Sequence, residues 1–394
     1  MKDSNQSGIW TIGLAIFSML FGAGNIIYPI KCGVLAGNQN IYAITGFILT
    51  GVILPIIGLI TMILFHGNYK LFFYRLGKIP GSIAILYCML IVGPLLAMPR
   101  CITLPYEMLK PFIPFVSLPL FSIIFSLITF LITYKESKIL SILGNIMSPL
   151  LLGSLGIIAA KGLWQADSMI PQTMTVSSIF FDQLNQGFQT LDLIGALFFA
   201  YIVLRILKET RTSDQIKSKE LAIISLKGGL IAGFLLTLVY ISFSYLGAYY
   251  AHLVTANMNG AQDFRVIAMH ILNSSSALII IIAVLMACLS TVTALAAVFS
   301  EYLHFELFNK KISYVHSLLI TMIITAIISN YGLENIMLYS SMPINIGYPI
   351  ITSVVFCNLA YSLFGFSYIK IPVACTAICI TSFYLQPFLT GIIS

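Results

Sequence analysis

Long runs of apolar residues, separated by short polar connections, fill most of the chain. A membrane-spanning α-helix needs about 20 mainly apolar residues. The pattern therefore predicts an all-α, polytopic membrane helical bundle with about eleven spans. We place these spans at residues 8–30, 41–65, 81–107, 117–134, 139–163, 181–207, 221–250, 276–303, 312–330, 335–364 and 368–392.

The composition indicates that lipid is the solvent for most of this apolar surface. Of the 394 residues, 59% are hydrophobic and 8% are charged, whereas about a quarter of the residues in a soluble domain are charged. The net charge of +7 comes from basic residues that are scattered between apolar runs, without the basic stripe and interleaved aromatic residues of a nucleic-acid surface. We expect the seven cysteines to be packing residues, because most lie inside apolar runs.

The distribution of basic residues predicts the orientation, because cytoplasmic connections carry an excess of Lys and Arg. With the N-terminus in the cytoplasm, fifteen of the 20 Lys and Arg residues fall on the cytoplasmic side. The five on the outer side are Lys31, Arg100, Lys110, Lys161 and Arg265. The first apolar run lacks a small-residue cleavage site and is expected to remain as the first span. An odd number of spans then places residue 394 outside.

The first span contains residues that suit an interrupted helix. Gly22, Gly24 and Asn25 lie well inside it, and Pro29 follows one turn later. An unwound backbone at this depth would expose amides and carbonyls that can replace the hydration of an ion or a carboxylate. The same small residues would also serve as a face for helix packing. The local sequence leaves both interpretations open.

The sixth span carries a carboxylate near its start, in the order Thr190, Asp192 and Gly195. An Asp at the entry to an apolar run is costly unless it faces a cavity or a partner, which favours a functional role. In that role, a helix break at Gly195 would free backbone carbonyls beside the carboxylate. The alternative is an interfacial Asp192 that caps a helix beginning near residue 193.

The eighth span places Ala287, Ser290 and Thr291 on one helix face, because they are three and four residues apart. Two hydroxyls and a carbonyl are hard oxygen donors of the kind that a small alkali cation accepts. Alternatively, both hydroxyls bond to carbonyls of their own helix.

At the outer end of the third span, Arg100 and Glu107 lie close to Pro99 and Pro105. Three roles are open for the two charged residues: they pair with each other, gate the entrance, or mark the membrane interface. The sequence contains no phosphate-binding loop, nucleophile elbow or zinc-protease motif. No enzyme activity and no cofactor are therefore expected.

Several co-linear motifs give the chain its resemblance to a known family. Residues 21–29, FGAGNIIYP, resemble the first-helix signature of the bacterial branched-chain amino acid:cation symporters, the LIVCS family. Residues 93–100, GPLLAMPR, resemble that family's third-helix motif. Further matches lie at Glu107, Gly144, Asn145, Pro149, Thr190, Asp192, Gly195, residues 287–289, Thr291, Glu301, Ser329, Asn330, Gly332, Leu333, Pro343, Tyr348 and Pro349. The family typically has twelve helices, and eleven are predicted here.

The resemblance implies a LeuT-like fold of two inverted five-helix repeats within a single transporter domain. The repeats would cover residues 8–163 and 181–364, with helices one and six broken and an extra helix at 368–392. It also implies a substrate site formed by Ala23, Gly24, Asn25, Thr190, Asp192 and Gly195. The amides of Ala23 and Gly24 would hold the substrate carboxylate, and Asn25 and Thr190 also match positions of a second sodium site. The main sodium site would consist of Ser18, Phe21, Ala287, Ser290 and Thr291.

The function expected from the resemblance is sodium-coupled import of leucine, isoleucine and valine across the bacterial cytoplasmic membrane. The expected partners are these amino acids, Na⁺ and membrane lipid, without nucleic acid. One alternative is the same fold coupled to protons, with Asp192 as the carrier. Another is a channel or a non-transporting sensor.

Overall fold

The computed structural model describes residues 2–172, 174–210, 218–255, 257–273 and 277–393, which are mostly helical and contain no β-strand. The first half comprises α1 (Lys2–Leu20), α2 (Ala23–Ala36), α3 (Asn40–Ile48), α4 (Leu54–Leu64), α5 (Tyr69–Tyr74), α6 (Lys78–Leu90), α7 (Ala97–Leu109), α8 (Leu118–Thr133), α9 (Ile139–Ile142) and α10 (Ser148–Trp164). The second half comprises α11 (Val176–Phe188), α12 (Asp192–Thr210), α13 (Ser218–Tyr249), α14 (Gly260–Leu272), α15 (Ala277–Tyr302), α16 (Tyr314–Ser329), α17 (Leu333–Phe364) and α18 (Lys370–Ile393). π-Helical turns at Leu49–Ile53, Ile91–Leu95, Leu143–Met147 and Leu303–Leu307 join or extend these helices.

All eleven predicted spans fall on apolar helical segments. Within the described residues, seven segments have the length and hydropathy of a membrane span, and four shorter apolar helices accompany them. One of the seven, Ala23–Leu64, contains the end of the first predicted span and all but the last residue of the second. Two helices were not predicted, α5 and α14. Polar residues interrupt the apolar pattern of α14, so it does not resemble a span in sequence.

The outer helices show the polarity expected of a protein in lipid. In α8, Ile123, Leu127 and Leu131 are exposed, whereas Ser126 and Thr129 are buried. The buried Thr129 hydroxyl donates to the Phe125 carbonyl at 2.9 Å, so its polar group is satisfied inside the helix. Small hydroxyl residues at helix contacts and large apolar residues on the outer surface are typical of membrane bundles.

Two helix breaks lie at the centre of the bundle. Between α1 and α2, Gly22 has extended backbone angles (φ −115°, ψ −154°), which confirms an interruption of the first span. Between α11 and α12, residues 189–191 are not helical, and Leu191 has a left-handed φ of 67°. The expected break at Gly195 is wrong. The Gly195 amide donates to the Leu191 carbonyl at 3.0 Å within the first turn of α12, so the helix continues through it.

A close backbone contact sets the position of α2 against α13. A Cβ on Gly33 would lie 1.7 Å from the Ser244 carbonyl oxygen, and one on Gly247 would lie 2.1 Å from the Ile30 carbonyl oxygen. Any larger residue at either position would push the helices apart. This contact holds α2, which starts at the first break, against the C-terminal half of α13.

Candidate functional site

The two helix breaks face each other. A Cβ on Gly24 would lie 3.1 Å from the Thr190 Cα, so the start of α2 rests on the break before α12. Asn25 bridges the two segments, because its side-chain Nδ2 donates to Asp192 Oδ2 at 2.7 Å. The Gly22 amide donates to Asn25 Oδ1 at 2.9 Å, which fixes the orientation of the Asn25 side chain. One polar network therefore connects both breaks.

Asp192 is the centre of this network. It is 3% exposed, and Oδ2 also accepts a hydrogen bond from the Tyr240 hydroxyl of α13 at 2.7 Å. Asn25 Nδ2 also contacts this hydroxyl. Asp192 is the first residue of α12, which begins one residue earlier than the capping interpretation expected. However, it is buried in the centre of the bundle and not at the membrane interface.

Two further side chains stabilise the break before α12. The Thr190 hydroxyl donates to the Gly187 carbonyl at 2.9 Å. The Tyr348 hydroxyl of α17 accepts a hydrogen bond from the Leu193 amide at 2.7 Å. The first amides of a helix have no carbonyl partner within it, so Tyr348 satisfies one of them. Neither Tyr240 nor Tyr348 was predicted as a site residue, because a Tyr in an apolar run usually indicates packing.

All six residues predicted for the substrate line one cavity: Ala23, Gly24, Asn25, Thr190, Asp192 and Gly195. The wall also contains the apolar residues Leu20, Val92, Ala97, Phe199 and Leu295. Its volume is about 30 Å³, which is roughly the share of one water molecule in the liquid. The structure is therefore closed around the site, and any amino acid would need the surrounding helices to move apart.

The residues predicted for sodium lie between α1 and α15. The Ser290 hydroxyl is 2.7 Å from the Ser18 carbonyl oxygen, and the Thr291 hydroxyl is 3.3 Å from the same oxygen. The Ser290 hydroxyl also lies within hydrogen-bond distance of two carbonyl oxygens of its own helix, those of Met286 at 2.7 Å and Ala287 at 3.0 Å, and its single proton can go to any one of the three oxygens. Ser290 thus lies within bonding distance of its own helix, as the alternative interpretation expected, whereas the Thr291 hydroxyl contacts α1.

Phe21, the remaining residue predicted for sodium, lies in the break between α1 and α2. It precedes Gly22, at which a Cβ would come 3.0 Å from the Thr291 hydroxyl. Among the described residues, no group of three or more His, Cys, Asp or Glu side chains is placed to hold a metal ion. An ion at this place would therefore depend on carbonyl and hydroxyl oxygens.

Arg100 is not at the outer interface, where the sequence placed it. It is 3% exposed and lines the central cavity. Its Nη1 donates to the Gln189 carbonyl in the second break at 3.0 Å, and Nη2 donates to the Ser340 hydroxyl of α17. Arg100 and Glu107 do not pair in the described part of the chain, and the Glu107 carbonyl accepts from Arg265 at 3.0 Å. An Arg inside an apolar run was the signal that could have placed it here.

Charged residues on the predicted cytoplasmic side form a second cluster. Arg205 of α12 forms ion pairs with Glu136, at 3.0 Å, and with the buried Glu301 of α15. Lys70 pairs with Glu306 at 2.6 Å. Arg205, Lys70 and Glu306 line a cavity of about 580 Å³. The ion pairs thus connect α12 and α15 beside an open space that is distinct from the central cavity.

The profile of a family described as branched-chain amino acid transport protein matches residues 5–386. The chain belongs to this family. The branched-chain amino acid permease BrnQ of Bacillus subtilis is 31% identical over 372 residues, which are 92% of this chain and 83% of that protein. The permease BraB of the same organism is 29% identical over 361 residues, which are 90% of this chain and 80% of that protein. This member of the family is thus a multi-pass membrane protein related to permeases.

Solved structures show the same fold at low sequence identity. A Na⁺-coupled sialic acid symporter matches with a TM-score of 0.54 and 13% identity, over 96% of this chain and 90% of its own. Mhp1, a nucleobase-cation-symport-1 family transporter in a closed conformation, matches with a TM-score of 0.59 and 15% identity, over 96% and 93%. These matches confirm the LeuT-like fold class. The repeat boundaries at 8–163 and 181–364 remain a prediction.

Proposed function

We propose that the protein is a secondary active symporter that imports leucine, isoleucine and valine with Na⁺. The observation that carries this proposal is the hydrogen bond between Asn25 and Asp192, which joins two helix breaks beside a closed, partly apolar cavity. Substrate sites at paired helix breaks are typical of secondary transporters. The substrate class is supported by the names of the Bacillus permeases.

The polar ends of an amino acid have matching groups in the cavity. Asp192 would bind the substrate ammonium through a charge-assisted hydrogen bond. The amides of Ala23 and Gly24, at the start of α2, would bind the carboxylate, because the first amides of a helix have no carbonyl partner within it and lie at its positive end. Asn25, Thr190 and Gly195 would shape the same site.

The apolar wall would hold the branched side chain. Such a wall distinguishes substrates by only about 1–3 kcal/mol per methylene, so leucine, isoleucine and valine should compete with one another. The cavity in the closed structure must expand before any of them binds. Transport would then follow from opening of the site to one side of the membrane and then to the other.

Sodium coupling would act through the contact between α1 and α15. A cation bound by oxygens of Ser18, Phe21, Ala287, Ser290 and Thr291 would hold these segments in one arrangement. Because only Gly22 separates Phe21 from Ala23, that arrangement would also order the amides of Ala23 and Gly24 that bind the substrate. Two ligands that favour the same arrangement increase each other's affinity. An inward sodium gradient would then drive entry of the substrate from outside.

A second candidate function is proton-coupled transport with the same substrates. Its supporting observation is that the carboxylate oxygen of Asp192 accepts hydrogen bonds from two neutral groups, those of Asn25 and Tyr240. A buried carboxylate with neutral partners is a suitable proton carrier. A channel or a sensor is the third possibility, and none of the contacts specifically favours it.

Uptake of radiolabelled leucine into proteoliposomes, with sodium, lithium and proton gradients imposed separately, tests the proposal. An inward sodium gradient should drive accumulation, and unlabelled isoleucine or valine should reduce it. Preloaded leucine should also drive counterflow, which a carrier shows and a channel or sensor does not. Accumulation with a proton gradient alone would support the second candidate, and absence of counterflow would contradict a carrier. Protein-free liposomes are the control.

A further inference from the structure

Arg100 is a buried cation whose charge the protein does not neutralise by an ion pair within the described residues. The two protein groups that accept its hydrogen bonds, the Gln189 carbonyl and the Ser340 hydroxyl, are neutral. Its Nε is buried and has no hydrogen-bond partner in the part of the chain that the structure describes. Guanidinium remains charged in proteins and has five N–H donors. A charge buried in this way is costly, so an anion that binds here is strongly favoured.

The position of Arg100 suggests what this anion is. Arg100 and Asp192 line the same small cavity, and the Gln189 carbonyl that Arg100 contacts is three residues before Asp192. The site therefore contains one positive and one negative side chain, with apolar residues such as Val92 and Leu295 in the same wall. A simple anion would satisfy Arg100 and leave Asp192 without a cation. A zwitterion satisfies both.

We propose that Arg100 binds the carboxylate of the amino acid substrate, together with the amides of Ala23 and Gly24. This inference rests on the proposed function of the site. The planar guanidinium suits a carboxylate because two parallel N–H groups can contact both oxygens. Arg100 and Asp192 then recognise opposite ends of the substrate, which gives selectivity for free α-amino acids over amines and carboxylic acids.

The same contacts connect binding to the second helix break. Arg100 is held by the Gln189 carbonyl, and the Gln189 side chain donates to Asn345 of α17 at 2.7 Å. Ser340, the other partner of Arg100, also belongs to α17. A substrate carboxylate at Arg100 therefore acts on the junction of α7, α17 and the break before α12. Arg100 is a substrate-binding residue and also contacts segments that must separate when the cavity opens.

The test compares leucine with leucinol, which keeps the ammonium and the side chain but has no carboxylate. Binding of both is measured with the purified full-length protein, the Arg100→Gln variant and the Arg100→Lys variant. The parent should bind leucine at least 10-fold more tightly than leucinol. Arg100→Gln should weaken leucine binding by about 10- to 100-fold, as expected for loss of a charged hydrogen bond, and change leucinol binding less than threefold. Arg100→Lys keeps the charge without the planar guanidinium, so its leucine affinity should lie between those of the parent and Arg100→Gln.

Thr129→Ala is the matched control, because it removes a buried hydroxyl of α8 that bonds within its own helix and does not line the cavity. Its ratio of leucine to leucinol affinity should equal that of the parent. Equal weakening of both ligands in folded Arg100→Gln would overturn the proposal and make Arg100 a structural bridge. Unchanged leucine affinity in Arg100→Gln would also overturn it, because the amides would then suffice. If the parent itself fails to bind or transport leucine, the proposed function is wrong, which is a separate outcome.

Discussion

The side-chain amide of Asn25 donates to the carboxylate of Asp192 at 2.7 Å, across 167 residues of sequence. Each residue lies at the start of the helix that follows a break, Asn25 in α2 and Asp192 in α12. The Tyr240 hydroxyl donates to the same carboxylate oxygen from α13. A ligand that binds Asp192 therefore contacts the residue through which the two breaks are connected.

Asp192→Asn tests the role of this carboxylate. The substitution keeps the size of the side chain and loses the charge, so leucine affinity should fall by about 1.5–3 kcal/mol, the value of a hydrogen bond to a charged group. The parent should reject 4-methylpentanoate, the leucine analogue without the amino group. The variant should distinguish this analogue from leucine less strongly. Both affinities are measured on the folded, purified proteins. If Asp192 only caps α12, Asn is an equally good cap and the affinity for leucine will not change.

The apolar pattern was sufficient for the membrane-length helices but not for α5 and α14, and the first break was implied by the family resemblance. Apolar runs of sufficient length specify membrane helices, and the Gly22 region contains the small residues that an interruption needs. The second break lies at residues 189–191 and not at Gly195. The backbone there is held by contacts from distant segments, including Arg100 to the Gln189 carbonyl and Tyr348 to the Leu193 amide. Such contacts cannot be recognised from the local pattern.

The position of Arg100 illustrates the same difficulty. Counting residues from the start of the third span places it near the outer surface. However, the helix contains a π-helical turn at Ile91–Leu95 and a kink at Gly93 (φ −85°, ψ −137°). These irregularities change the direction of the chain before α7, so a linear count gives the wrong depth. At the kink, Gly93 packs closely against Phe299. A Cβ at this glycine would lie 2.8 Å from the Phe299 ring.

Gly33→Ala should destabilise the protein by disturbing the contact between α2 and α13. The added Cβ would lie 1.7 Å from the Ser244 carbonyl oxygen, which is backbone and cannot rotate away. Overpacking of this kind typically costs about 1–3 kcal/mol, so the thermal unfolding midpoint in detergent should fall. Gly153→Ala is the control, because no atom lies within 4 Å of its added Cβ. An equal midpoint for the two variants would contradict the close contact.

Asp263 of α14 should make stability depend on pH. Burial raises the pKa of its carboxyl to about 6, although Lys31 acts in the opposite direction. Its Oδ1 is buried without a hydrogen-bond partner in the described part of the chain. Because the pKa is higher in the folded protein than the value of about 3.9 in an unfolded chain, the folded state binds the proton more tightly. This contribution to stability is full below about pH 4 and is lost as the pH rises through about 6.

The measurement for Asp263 is the thermal unfolding midpoint at pH 4.5 and pH 7.5. The parent should lose more stability over this interval than Asp263→Asn, whose side chain stays neutral. Asp182→Asn, which changes an exposed carboxylate of α11, is the matched control and should behave as the parent does. Identical pH dependence in the parent and in Asp263→Asn would show that burial of this carboxyl does not matter for stability.

Thr291→Ala and Ser290→Ala test the proposed cation site. Each removes one hydroxyl near the Ser18 carbonyl, at 3.3 and 2.7 Å respectively, and leaves a small residue that suits a helix. The sodium concentration for half-maximal leucine uptake should rise in both variants. The rise should be larger for Thr291→Ala. The Ser290 hydroxyl also lies within hydrogen-bond distance of two carbonyls of its own helix, so part of the effect of its loss is structural.

The control for this pair is Thr129→Ala in α8, whose hydroxyl bonds only to its own helix carbonyl among the contacts of the described residues. It should keep the parental sodium dependence. Leucine affinity at saturating sodium separates the two possible effects. Loss of a cation ligand changes only the sodium requirement, whereas damage to the substrate cavity lowers the leucine affinity itself.

Thr291 also lines the substrate cavity, so Thr291→Ala should change the leucine affinity modestly. Ser290 does not line the cavity, so Ser290→Ala should change the leucine affinity less. If both variants keep the sodium dependence of the parent, the coupling ion binds elsewhere or is not sodium.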